Sequence, residues 1–301
     1  MGTQISLIIP TYNRLSSLKR VLPSYLKQKY INEVLIVDDF GCDDLEGYFC
    51  RITEQDEKLR YIRLDRHMGL PGARNIGIKK AAGDFVLFGE DDVYFSADYA
   101  EKLLDCAYRT GADIIAGRII SLRYGQAKQK TVAKADSYQG PLIDNRLVFG
   151  CFWKDTGNDV EVPFVHACAL IRKKVFENLL YDEDFRGNGW REETDLYLRA
   201  LKDGFKVYFC PHTACYHLPR NFSRTGGCLN MNILAYQYWA LKNNYRFLRG
   251  HYSFLKDRLG LTHGILRLML VQTRLRIRHC LIHFIEKHFL AEREQWEDFL
   301  D

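Results

Sequence analysis

Three acids in a row, Glu90, Asp91 and Asp92, close a short β-branched and aromatic run, Asp84 to Phe88, within the stretch Gly83 to Tyr94 (GDFVLFGEDDVY). Adjacent carboxylates repel one another, so a bound divalent cation or a donor-rich ligand is the economical reason to keep them together. A solvated loop tip is the plain alternative, and the triplet alone does not exclude it. A second acidic group, Asp38, Asp39, Asp43 and Asp44, follows the apolar run Glu33 to Val37, and a third, Glu192, Glu193 and Asp195, stands where a helical pattern begins. A helix start favours negative charge through its dipole, which accounts for Asp195.

These groups need a scaffold that gathers strand ends. Gln4 to Ile9 reads as a first strand ended by Pro10, and Leu15, Leu18, Val21, Leu22, Tyr25 and Leu26 fall at helical spacing, with a kink expected at Pro23. Glu33 to Val37 and Arg60 to Leu64 read as the next strands. Residues 65–73 read as a loop with two glycines and a proline, and Arg74 to Ala82 as a helix leading to the strand of the acidic triplet. Ser96 is expected to cap a helix running to about Arg109, ahead of a strand from Asp113 to Gly117. Residues 118–159 lose periodicity and read as an insertion or mobile loop. Val162 to Ile171 is apolar again, Lys173 to Leu179 and Glu192 to Leu201 read as helices, and Phe205 to Phe209 as a last strand. This alternation predicts an α/β fold with a doubly wound, mostly parallel central sheet whose loops gather on the edge where such sheets bind ligands.

With 301 residues, 47% of them hydrophobic and 27% charged, the chain can bury a full core. A net charge of +5, with no basic block interleaved with aromatics near the N-terminal motifs, argues against a nucleic-acid binder. The opening MGTQISLIIPTY lacks the basic and apolar regions of a signal peptide, and no stretch of membrane-spanning length is free of charge, so a cytoplasmic location is expected. Nine cysteines at irregular spacing read as reduced thiols. Cys210, His212, Cys215 and His217 lie closer together than the ligands of familiar zinc modules, and in a strand the first pair and the second point to opposite faces. A closed zinc site built from those four is not expected.

LIIPTYNR at 7–14, VDDFGCDD at 37–44, GLPGARNIG at 69–77, the acidic triplet, and GWREETDLYLRALKDGFKV at 189–207 occur in the order seen in inverting family 2 glycosyltransferases of the GT-A fold, and the chain resembles that family over roughly its first two thirds. The resemblance implies a catalytic domain over residues 1–222, with a nucleotide-sugar half to about 117 and an acceptor half beyond it. Residues 223–301 form a helical C-terminal extension. It places Pro10, Thr11, Tyr12, Arg14, Asp38, Gly69, Arg74 and Asp91 around a nucleotide-sugar, with Tyr12 stacked on the base, Asp38 on the base imide and Arg74 with helix-start amides on the diphosphate. Asp92 and His217 would hold a divalent metal, Mn2+ or Mg2+, Glu193 or Glu192 would be the general base, and Trp190 and Arg191 would face the acceptor. The plain readings are a core aromatic for Tyr12, a turn-capping carboxylate for Asp38, a surface ion pair for Arg74 and a buried aromatic for Trp190. Turn capping is the expected job of Asp39, Asp43 and Asp44. Two departures stand out. Where relatives often carry Asp-x-Asp this chain has Glu90 and Asp92, which moves the weight to Asp91 and Asp92, and where many carry aspartate as base it has Glu193.

The resemblance implies transfer of a sugar from a nucleoside-diphosphate sugar, with UDP the leading donor, to a glycan or lipid-linked acceptor in surface polysaccharide or glycolipid assembly. A nucleotidyltransferase would bring a glycine-rich basic loop after the first strand, which PTYNR is not. A hydride-transfer enzyme would show a glycine fingerprint there. A non-catalytic descendant that binds nucleotide or glycan would be expected to lose an acid from the triplet or the base position, and both keep theirs. In Gly264 to Leu290 apolar residues alternate with arginines and histidines. Such a helix suits peripheral contact with an anionic membrane, or packing on the catalytic domain or on a second subunit as a homo-oligomer.

Overall fold

The computed structural model describes residues 3–53, 56–219, 222 and 226–289. In chain order the elements are β1 (Ile5–Thr11), α1 (Leu15–Leu26), β2 (Ile31–Asp38), α2 (Leu45–Thr53), β3 (Leu59–Arg63), α3 (Gly69–Lys80), β4 (Phe85–Phe88), β5 (Val93–Phe95) and α4 (Tyr99–Thr110). They continue with β6 (Ile114–Ser121), α5 (Lys128–Asp136), β7 (Ile143–Asp144), β8 (Phe149–Gly150), β9 (Val160–Glu161), β10 (Ala169–Arg172), α6 (Glu192–Lys202), β11 (Val207–His217), α7 (Ile233–Leu259) and α8 (Ile265–Phe289).

The main sheet runs β3-β2-β1-β4-β10-β6-β11-β5, with β9 beside β11. The strands β1, β2, β3 and β4 pair in parallel, as do β6 and β11, whereas β10 is antiparallel to both β4 and β6, so these six parallel strands all point one way. Only β10, β5 and β9 oppose them. The expected mostly parallel α/β sheet is therefore present. Its strands are apolar on both faces because helices cover both. Leu7, Ile9, Val34, Ile36, Phe85, Leu87 and Ile115 bury against α1, α2 and α4. Their neighbours Ile8, Leu35, Val37, Val86, Phe88 and Ile114 face α3, α6, α7 and α8. The two-residue period of a strand divides one apolar run between two cores.

Several elements depart from the sequence expectations. Residues 69–73 are not loop: they form the first turn of α3, because Asp39 accepts the amides of Met68 (2.6 Å) and Gly69 (2.9 Å) and caps it. The companion acids do the same work, Asp43 accepting from the Leu15 amide (2.8 Å) at the start of α1 and Asp44 from the Gly47 amide (2.9 Å) in the first turn of α2. Ser96 does not cap α4, whose N-terminal flank is Asp98 without a side-chain cap. Residues 118–159 extend β6 to Ser121 and carry α5 and the β7-β8 hairpin. The buried Arg118 ties them together, donating to the Trp153 carbonyl (2.8 Å) and pairing with Asp136 (2.6 Å). The C-terminal helices do follow one of the expected placements, packing on the rest of the chain: Phe247, Leu248, Leu255 and Leu268 bury in the same core as the sheet and α6.

Candidate active site

Parallel register brings the ends of three strands together: Thr11 of β1 pairs with Asp38 of β2, and Ile8 pairs with Phe88 of β4, just before the acidic triplet. The triplet is held from below and from the side. Tyr25 donates its phenol to the Glu90 carbonyl (2.7 Å), and the Leu218 amide donates to the Asp92 carbonyl (2.8 Å), which ties the loop to the end of β11.

The three acids then divide. Asp91 turns toward β1, accepting from Thr11 Oγ1 (2.9 Å) and pairing with Arg14 Nη1 (2.9 Å). Asp92 pairs through Oδ2 with Arg14 Nη2 (2.6 Å), while its Oδ1 lies 3.6 Å from His217 Nε2. Glu90, Asp92 and His217 each offer one ligand atom, all within 4.8 Å of one another. The spaced pair Glu90 and Asp92 therefore converges, rather than the adjacent pair Asp91 and Asp92 on which the sequence reading placed its weight. The i, i+2 spacing in an extended loop was the signal for it. His217 Nδ1 lies 3.1 Å from the Leu218 carbonyl, which holds the ring with Nε2 toward Asp92. Two carboxylates and a neutral imidazole fit a divalent cation such as Mn2+ or Mg2+. Burial pushes the Asp91 carboxyl up to about 7, with Arg14 opposing and Asp92 adding to the rise.

Tyr12, beyond the buried Pro10, lies against the His67 ring at 4.4 Å between centroids, forming an aromatic pair at the mouth of the site. Its carbonyl accepts the Gly227 amide (2.8 Å), so the segment after β11 closes over the β1 loop. That approach requires glycine: a Cβ on Gly226, whose φ is +81°, would stand 2.0 Å from the Asn13 carbonyl oxygen. Asp38 is completely buried and takes the Gly41 amide (2.8 Å), the Tyr61 phenol (2.7 Å) and Arg63 (3.1 Å). It is a turn anchor in this state, the plainer of its two readings. Gly69 donates to Asp39 rather than opening onto the site.

Arg74 departs most from expectation. It lies in the interior of α3, fully buried, and the amides at the start of that helix are capped by Asp39. Its guanidinium meets Glu192 Oε1, comes within 3.5 Å of Glu90 Oε1 and rests near the Phe88 and Tyr181 rings. Arg74 thus links the acidic triplet to the start of α6. Glu192 is 1% exposed, and burial pushes its carboxyl up to about 8 against the pull of Arg74. Glu193 is more exposed, its carboxyl also raised by burial and lowered by Arg74. Of the two, Glu192 is the one walled in, against Arg74.

Arg191 does not face an acceptor. Its backbone takes the left-handed conformation (φ +76°), and its side chain turns inward to donate to the carbonyls of Val148 (2.6 Å) and Leu147 (3.0 Å) and to Asn244 (3.0 Å). Trp190 is half-buried, with the Arg276 guanidinium of α8 over its ring at 4.6 Å. Sequence reasoning found neither Asn244 nor Arg276, and no local pattern marks them.

An acid-lined edge of a mostly parallel sheet, facing a second acidic cluster at a helix start, defines a GT-A domain. The family model "Glycosyl transferase family 2" matches residues 6–180, and the chain belongs to that family. Among curated relatives, the glycosyltransferase GlyA of Streptococcus pneumoniae is 30% identical over 66% of this chain and 29% of its own length. A Campylobacter jejuni GalNAc(5)-diNAcBac-PP-undecaprenol beta-1,3-glucosyltransferase is 24% identical over 84% of this chain and 73% of its own. Of solved structures, GalNAc-T7 with UDP, GalNAc and Mn2+ shares the fold with a TM-score of 0.62 at 17% identity, covering 95% of this chain and 58% of that one. S. aureus TarS 1–349 with UDP-GlcNAc aligns with a TM-score of 0.57 at 16% identity, over 94% and 81% of the two chains.

Proposed function

We propose that this protein is a metal-dependent, inverting glycosyltransferase that moves a sugar from a nucleoside-diphosphate sugar, UDP being the leading donor, to a hydroxyl of a glycan or lipid-linked acceptor in surface polysaccharide or glycolipid assembly. The observation that carries this reading is the convergence of Glu90, Asp92 and His217 beside Arg14 at the carboxyl edge of the sheet. UDP, UDP-GlcNAc and Mn2+ in the names of the solved neighbours support the donor and the metal.

In this reading Tyr12 stacks on the base and Thr11 with Asp91 faces the ribose. Arg14, already at the acids, meets the diphosphate. Glu90, Asp92 and His217 would hold a divalent cation, which would supply Lewis-acid neutralisation of the diphosphate. Glu193 takes the proton of the acceptor hydroxyl as its oxygen bonds to the anomeric carbon and the bond to the nucleoside diphosphate breaks, so the anomeric configuration inverts. Arg74 holds Glu192 and the triplet in place and is a positioning residue, not a diphosphate ligand. Trp190 offers the acceptor one ring face, the other being under Arg276.

The lipid side of the proposal rests on α8. Its solvent face carries Leu266, Leu270, Leu275 and Ile277 with Arg267, Arg274 and Arg278, and no acid among residues 265–280. That face suits an anionic membrane surface, where a lipid-linked acceptor resides. No helix among the described residues is long and apolar enough to cross a membrane. The test is a panel of nucleotide-sugars with Mn2+ and lipid-linked or free glycan acceptors, with the product anomer read by NMR. Inverted product that is lost in Glu193→Gln but kept in Glu192→Gln supports the reading. Nucleotide binding without transfer supports a non-catalytic descendant, and a sugar-1-phosphate product a nucleotidyltransferase.

A further inference from the structure

Further back along β11, in the core that also holds Cys215, a second group of ligating side chains converges. Cys106 of α4 and Cys210 of β11 are both completely buried, and the Cys210 thiol donates to the Lys102 carbonyl of α4 (3.9 Å). Asp159, just before β9, brings a carboxylate to them: the ligand atoms of Cys106, Asp159 and Cys210 all lie within 4.8 Å of one another. His212, two residues after Cys210, places Nε2 3.6 Å from Asp159 Oδ1. Three ligand atoms thus meet at one point, and the His212 imidazole stands beside the carboxylate.

The Asp159 carboxylate shows how the point is built. Its Oδ2 takes the Arg109 fork, including Nε at 3.0 Å, which fixes the orientation of the group. Its Oδ1 is buried and has no hydrogen-bond donor, although the side chain is only 9% exposed. One oxygen held by an outer partner and the other aimed at two thiols is the arrangement of a monodentate metal ligand with its supporting contact. Tetrahedral zinc with bonds of about 2.0–2.3 Å puts neighbouring ligand atoms about 3.3–3.8 Å apart, and the spacing of His212 from Asp159 falls in that range.

We infer that Cys106, Asp159, Cys210 and His212 form a structural zinc site, separate from the acidic triplet. Two soft sulfurs with a nitrogen and an oxygen select Zn2+ over the hard cations that suit Glu90 and Asp92. Binding converts both thiols to thiolates and releases their two protons to solvent. His212 is 44% exposed, which leaves the ion a path in from solvent. The site ties α4 to β11 and to the strand partner of β11, since β9 begins with the residue after Asp159 and pairs with Tyr208 and Phe209. Cys168 and Cys215, the other adjacent thiols, sit with His166, which is an ordinary core histidine: it uses both ring nitrogens, on the Gly117 carbonyl (2.9 Å) and the Cys168 amide (3.2 Å).

The test is cobalt(II) titration of the reduced, full-length protein, followed by thiolate-to-cobalt charge transfer and by zinc displacement. The expected result is one equivalent of cobalt with a two-thiolate band, displaced by zinc. The band survives in Asp92→Ala, loses intensity in Cys106→Ser and Cys210→Ser, and forms with more than about tenfold weaker affinity in His212→Ala, whose site is on the surface and leaves the core intact. A folded protein without a thiolate band would overturn the inference. So would a band unchanged by the cysteine substitutions, which assigns it to Cys168 and Cys215. If the serine variants fail to fold by circular dichroism, unchanged affinity in His212→Ala overturns it.

Discussion

The end of the site proposed to take the donor and the end proposed to take the acceptor are built by different means. At the donor end Thr11, Arg14, Asp91 and Asp92 sit at or just beyond the ends of the neighbouring parallel strands β1 and β4 and pair with one another. At the acceptor end, Arg191 reaches the carbonyls at 147–148 and Asn244 of α7, and Arg276 of α8 covers Trp190. The first is fixed by the sheet, the second by contacts among elements far apart in sequence. Arg74, between Glu90 and Glu192, joins the two. Loss of a donor-end side chain should therefore cost chemistry, and loss of an acceptor-end anchor should cost stability or acceptor recognition first.

The largest effect is expected from Asp92→Ala, which removes the acid shared by Arg14 and His217. Transfer should fall by roughly 10³-fold, the worth of several kcal/mol of charge stabilisation, with the melting temperature little changed. Steady-state rates across a metal titration check this. Arg74→Met should leave the buried Glu192 carboxyl without its donor and destabilise the fold by about 1–3 kcal/mol, and adding Glu192→Leu should restore most of the loss. Denaturant melts of the two single variants and the double variant close that cycle. Arg191→Met should leave two carbonyls and Asn244 without their donor, costing about 1–3 kcal/mol, and raise the acceptor KM while nucleotide affinity holds. A change in nucleotide affinity instead would erase the distinction between the two ends.

The smallest expected effect is a pH slope. An acid whose pKa is higher in the folded state contributes its full stability below the unfolded value and loses it as pH rises through the folded one. Glu192 is raised to about 8, so the melting temperature of the ligand-free protein should fall as pH is taken from about 6 to about 9. The slope should flatten in Glu192→Gln, as read by scanning calorimetry.

What could be seen in the sequence follows the same division. Strand runs such as Leu7 to Ile9 and Phe85 to Phe88 are apolar throughout because both sheet faces are covered, and the acids after them mark the carboxyl edge. The capping roles of Asp39, Asp43 and Asp44 were also readable, as polar residues between apolar runs. The start of α3 was not, because two glycines and a proline look like a loop until Asp39 caps them from another strand end. The order within 118–159 depends on Arg118 finding Asp136 and the Trp153 carbonyl, which no local periodicity encodes. Arg191, just before the candidate base, was expected from the resemblance to face the acceptor. Its left-handed backbone and the distant Leu147, Val148 and Asn244 turn it inward.

The most direct test of the account is calorimetric titration of UDP, GDP, dTDP and CDP into the protein with Mn2+, with EDTA in place of Mn2+, and into Asp92→Ala with Mn2+. The account predicts that one nucleotide, with UDP leading, binds only when Mn2+ and Asp92 are both present. Binding that is equal in EDTA, or no binding of any of the four, would contradict it.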